Sequence, residues 1–131
     1  MRTVGIVVEY NPFHAGHARH LAETRRALGD CAVAAVMSGN FVQRGDCAVA
    51  DKWSRAAAAL DGGADLVVEL PTVWAAASAE AFAYGAVAIL RELGADALSF
   101  GSESGDAAAL ARAAAALEQR AAQEKAERMK N

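Results

Sequence analysis

Four short apolar runs, each followed by a helix-forming stretch, constrain this chain more than any other feature. The runs at 3–9, 31–37, 65–70 and 97–100 are rich in valine, leucine and alanine and lack polar alternation. Strands wetted on one face alternate apolar and polar residues, so unbroken apolar strands are those covered on both faces. Helices are predicted at 17–28, 51–60 and 78–93, with Gly29, Gly62-Gly63 and Gly94 just past their ends, where left-handed caps occur. This βαβαβαβα rhythm predicts an α/β fold, a doubly wound parallel sheet with right-handed crossovers. Ligands of such sheets bind beyond the carboxyl ends of the strands, which marks the loops at 10–17, 38–44, 71–74 and 101–103.

The first of these loops is the most informative. In Gly5-Ile6-Val7-Val8-Glu9-Tyr10-Asn11-Pro12-Phe13-His14-Ala15-Gly16-His17 a β-branched run stops at a turn, and two histidines then flank a glycine as a helix begins. A helix N-terminus offers unpaired N–H groups and the positive end of the dipole, a ready anion site. Gly16 removes a side chain where a phosphate approaches closely. His14 and His17, three apart, can turn both imidazoles to one ligand from the first helical turn. The pattern reads as a nucleotide-phosphate cradle.

His-x-Gly-His after a first strand resembles the signature of the HIGH-type nucleotidyltransferase superfamily. The longer blocks narrow it: Val8-Glu9-Tyr10-Asn11-Pro12-Phe13-His14, Met37-Ser38-Gly39-Asn40-Phe41-Val42-Gln43-Arg44-Gly45, Asp51-Lys52-Trp53, Asp65–Pro71, Phe82-Ala83-Tyr84-Gly85-Ala86-Val87 and Ser99-Phe100-Gly101-Ser102-Glu103. Together they resemble the tRNA(Met) cytidine acetate ligase family, over roughly residues 3–110. The resemblance implies a Rossmann-like fold, here without the superfamily's last strand and the ligases' helical tRNA-binding region. It also implies ATP as substrate, with Mg2+, and acetate activated as acetyl-adenylate. The exocyclic amine of the wobble cytidine of elongator tRNA(Met) would then be acetylated. ATP is expected against Val7-Val8-Glu9-Tyr10-Asn11-Pro12-Phe13-His14-Ala15-Gly16-His17-Ala18-Arg19-His20 and Gly101, with His14 and His17 as the catalytic pair. Charge builds on phosphate oxygens in such a step, and imidazoles with backbone amides at a helix N-terminus meet it without a protein nucleophile.

Other side chains carry two readings. Arg44 in the second loop, and Lys52 and Arg55 on a helix capped by Asp51, are candidate substrate or phosphate contacts, or a solvated basic edge. Glu69 ends an apolar strand, where a carboxylate needs a partner or a ligand. Trp53 and Trp74 are core residues by default. His20 continues the i, i+3 series, but on one helix it would point well away from His14, so no metal site is expected.

The chain has 131 residues and a net charge of -3. That charge gives no bulk attraction for polyanions: tRNA(Met) should bind this chain weakly, and DNA and membranes are not expected partners. Cys31 and Cys47 lack metal-ligand spacing and read as reduced thiols. With no predicted leader or span, the expectation is a cytoplasmic protein. Residues 1–105 read as the nucleotide-binding domain and 106–131 as an alanine-rich helix whose charged tail should fray. Two rivals to the ligase remain: a nucleotide-binding module without chemistry, and a nucleotidyltransferase acting on a small phosphorylated substrate.

Overall fold

A computed structural model describes residues 1–102 and 105–129. The chain divides into two compact units, Met1–Phe100 and Gly101–Asn131. The first is built from β1 (Arg2–Val8), α1 (Ala15–Leu28), β2 (Cys31–Ser38), α2 (Lys52–Asp61), β3 (Leu66–Leu70), α3 (Thr72–Ala75), α4 (Ala79–Glu92) and β4 (Ala97–Leu98). The second holds α5 (Ala107–Arg128), capped by Asp106, whose Oδ1 accepts from the Ala109 N–H at 2.9 Å.

The four strands form one parallel sheet in the order β3-β2-β1-β4. The apolar runs explain the layering. Successive strand residues face opposite ways, so Val33 packs with Val4, Ile6 and Leu21 of α1, and Ala35 and Met37 with Tyr10 and Ala59 of α2. Ala34 and Val36 turn to the other face, against Phe82, Ala86 and Leu90 of α4. Two helices thus cover one face and α4 the other. The chain winds outward from β1 through β2 to β3, then crosses back to place β4 on the far side of β1. The strand order reverses beside β1, and the cleft at such a switch point lies at the carboxyl end of that strand.

Several details differ from expectation, each for a local reason. Only Ala97 and Leu98 of the fourth apolar run join the ladder, opposite Val4 and Gly5. α1 begins at Ala15 because His14 caps it. α3 is one turn long, too short to show a helical period in sequence. Of the Gly62-Gly63 pair only Gly63 takes a positive φ, at 116°. Trp53 and Trp74 are not core residues: Trp53 is 76% exposed and Trp74 36%. The buried face of α2 is Arg55 and Ala59, which are four apart, and Trp53 lies off that face. No helix among the described residues is long and apolar enough to cross a membrane.

Candidate active site

At the end of β1 the chain makes a sharp reversal. Tyr10 has φ 48°, Asn11-Pro12 is a cis peptide, and His14 returns to an extended conformation before α1 starts. A tyrosine in the left-handed region is unfavourable and persists only when its surroundings fix it. Two features do so. The Tyr10 ring is buried against Phe13, edge to face at a centroid distance of 4.8 Å, and against His17 at 4.7 Å. Burial pushes its phenol up to about 12. The second feature is Arg55, only 2% exposed, whose guanidinium reaches under the turn.

Arg55, read as a candidate substrate or phosphate contact or as part of a solvated basic edge, is buried instead, with its guanidinium bonded to the protein's own carbonyls. Its Nε donates to the Tyr10 carbonyl at 2.9 Å and its Nη1 to the Gly39 carbonyl at 2.6 Å. Its Nη2 donates to the Glu9 and Ser38 carbonyls at 2.6 and 2.9 Å, and to Ser38 Oγ at 3.0 Å. A planar fork of donors suits this task, because carbonyls at two strand ends converge on it. Burial pushes the guanidinium pKa down, opposed by Glu9 and Asp51. Arg55 therefore clasps the ends of β1 and β2, and Lys52 and Arg55 do not share a ligand-facing side of α2.

Above this floor stand the two histidines. His14 is the N-cap and lies outside the helix, unlike the expectation that both rings sit on its first turn. Its Nδ1 accepts from the Gly16 N–H at 3.1 Å, and the Nδ1 of His17 accepts from the His14 N–H at 3.2 Å. The rings stack with centroids 3.7 Å apart and planes 25° from parallel. A neutral imidazole whose Nδ1 accepts carries its proton on Nε2. Each ring then offers an Nε2–H donor, side by side at a helix N-terminus. Burial, then the neighbouring His14 and His20, hold the His17 pKa below its ordinary value, which keeps that ring neutral near pH 7. Gly16 has a local reason as well as the expected one, since a Cβ there would lie 2.9 Å from the His14 ring.

The remaining residues divide. His20 turns away from the pair: its Nε2 lies 2.9 Å from Ser99 Oγ, which also meets Thr24 Oγ1 at 2.7 Å. Among the described residues no group of three or more His, Cys, Asp or Glu could hold a metal. Arg19 pairs with Glu23 at 2.8 Å on the surface. Arg44 is exposed at φ 66° in a one-turn 3-10 segment, Gln43–Gly45. Lys52 pairs with Glu69, Nζ to Oε2 2.7 Å, so Glu69 has a structural partner. Gly101 opens the second unit and is exposed, while Glu103 lies outside the described residues. Sequence reasoning missed the staples that join the loops. Asn11 Oδ1 accepts from the Val49 N–H at 2.8 Å and Asn40 Oδ1 from the Lys52 N–H at 3.0 Å. Asparagines in turns commonly accept from nearby backbone, which was the available signal. Ser99 and Thr24 carried none.

Comparisons with known proteins bear on the family. Residues 1–131 match the HIGH Nucleotidyl Transferase family. The chain is 57% identical over 119 residues to a tRNA(Met) cytidine acetate ligase of Syntrophotalea carbinolica, covering 91% of this chain and 28% of that protein. It is 59% identical over 105 residues to one of Halalkalibacterium halodurans, covering 80% and 25%. The crystal structure of Thermotoga maritima TmcAL bound with alpha-thio ATP aligns with a TM-score of 0.85 at 49% identity, covering 92% of this chain and 29% of that one. The chain thus spans under a third of the length of these relatives. It belongs to the HIGH nucleotidyl transferase family, and within that family it is similar to the tRNA(Met) cytidine acetate ligases.

Proposed function

We propose that this domain binds ATP across the carboxyl ends of its strands and supports the activation of acetate for transfer to a tRNA cytidine. The observation that carries the reading is the stacked pair of Nε2–H donors of His14 and His17 at the α1 N-terminus. ATP lies along Val7–His20, with its phosphates at the histidines and the first N–H groups of α1. A carboxylate oxygen of acetate attacks the α-phosphorus, the bond to the bridging oxygen breaks, and pyrophosphate leaves. Negative charge grows on the phosphate oxygens during this step, and fixed donors aimed at them stabilise it more than they stabilise bound ATP. The cytidine N4 amine then attacks the acyl carbon, releasing AMP and a proton and leaving N4-acetylcytidine.

Arg55 supports the site from beneath by fixing the strand ends, and Arg44, in the loop after β2, is a candidate anion contact. Mg2+ would accompany ATP and offset part of the charge on its phosphates. The solved relative with an ATP analogue supports the nucleotide, and the names of the sequence relatives support the acceptor. The test is isotope exchange between pyrophosphate and ATP. Acetate-dependent exchange that falls in His17→Ala is the expected result; exchange independent of acetate would overturn the substrate assignment.

A further inference from the structure

Beside the cradle lies a second cluster of polar and aromatic side chains. Trp53, on the first turn of α2, exposes most of its side chain to solvent. The Lys52 ammonium lies 5.4 Å from the centroid of that ring and is held at 2.7 Å by the Glu69 carboxylate. A cavity of about 70 Å³ opens here, lined by Met37, Ser38, Lys52, Trp53, Val67 and Glu69. Both charged groups are preset. Asp51 caps the helix that carries Lys52, and the Asn40 side chain holds the Lys52 N–H. Gly39 leaves room for the Glu69 carboxylate, on which a Cβ at that position would fall. The register pairs Val8 with Met37 and Met37 with Glu69, so this cavity sits two strands, or roughly 10 Å, from the end of β1.

An ammonium next to a carboxylate offers a donor beside an acceptor. The edge of cytosine offers the complement, the N3 acceptor beside the N4 amine donor, whereas uracil presents the reverse, an N3–H donor beside the O4 acceptor. An exposed aromatic ring at the mouth supplies the stacking surface on which an unstacked, single-stranded base is held. We propose that Trp53, Lys52 and Glu69 form the docking site that captures the acceptor nucleobase before transfer, a splayed-out cytosine stacked on Trp53 with its N4 amine on Glu69 and its N3 facing Lys52, from which the base moves to the acyl-adenylate. This rests on the ligase reading above and deepens it by assigning the residues that select the base.

The test uses the whole chain labelled with nitrogen-15 and follows the Trp53 indole Nε1–H signal, identified by its loss in Trp53→Leu. Cytidine, uridine and adenosine are titrated separately, with neither ATP nor acetate present. Cytidine should shift the signal at concentrations at least about ten-fold lower than uridine, as one good two-point contact provides. Glu69→Gln should bring the two pyrimidines level, because an amide can serve either edge. Equal response to cytidine and uridine, tighter binding of adenosine, or no shift with any nucleoside would overturn the proposal. Acetate-dependent pyrophosphate exchange is independent of this readout, so failure of the base site and failure of the ligase reading are separate results.

Discussion

Replacing Arg55 with methionine separates a structural clasp from a phosphate ligand. The side chain is buried and its guanidinium serves four carbonyls and one hydroxyl at the ends of β1 and β2. Hydrogen bonds to charged groups contribute about 1.5–3 kcal/mol each, so a plain sum over these contacts would by itself match the stability of a whole domain. The sum is wrong because burying the guanidinium itself costs several kcal/mol. Methionine fills much of the volume but leaves the carbonyls of Glu9, Tyr10, Ser38 and Gly39 short of donors. The expected loss is therefore that of a broken buried charge network, about 3–5 kcal/mol. For a chain of this size that lowers the melting temperature by roughly 10–20 °C. Arg55→Lys should recover only part, since a single ammonium cannot span carbonyls on two strands. Urea titrations of the parent and both variants, followed by circular dichroism, measure it. A methionine variant within about 0.5 kcal/mol of the parent, which is the range of ordinary surface substitutions, would refute the clasp.

Three further outcomes follow from the site. Gly16→Ala should weaken ATP binding and lower stability together, because its Cβ would press on the His14 ring that caps α1; wild-type values of both would remove the packing argument. The His17 ring should titrate below its ordinary pKa of 6.5 in a histidine NMR titration. With the folded pKa depressed, the unfolded chain binds more protons in the window from that lowered value up to 6.5, so this histidine's share of stability is full above the window and declines as pH falls through it; a raised His17 pKa would contradict the assignment of a neutral donor. The chain alone should bind elongator tRNA(Met) weakly and with strong salt sensitivity, since its net charge is -3 and its basic residues are scattered; submicromolar, selective binding in a gel-shift titration would show a recognition surface that has been overlooked.

The fold was legible because its rules are local and repeated. The apolar run at 31–37 is a strand covered on both sides, the run at 65–70 is a strand at the sheet edge with Leu66 half exposed, and Gly29 and Gly94 marked helix ends that the structure keeps at positive φ. The strand-turn-helix around His14 and His17 was legible for the same reason. What sequence could not give was direction. Arg55 and Lys52 are three apart on one helix, yet one points into the floor and the other across to Glu69. A charged residue four before the buried Ala59, in an alanine-rich helix, was the cue that Arg55 faces inward. His14 also looked like a first-turn residue, and only the bond from the Gly16 N–H to its Nδ1 shows it as the cap. Trp53 was a core residue by default, but it lies off the Arg55–Ala59 face of α2 and stands in solvent.

The central claim is that the stacked histidines and the α1 N-terminus hold the phosphates of ATP. Titration calorimetry of ATP into the chain tests it most directly, with Gly16→Val as the control, since a branched side chain would fill the phosphate position. The account predicts saturable binding in the millimolar range or tighter that is lost in the variant, with a binding stoichiometry of about one. No heat of binding at millimolar ATP, or equal binding by parent and variant, would contradict it.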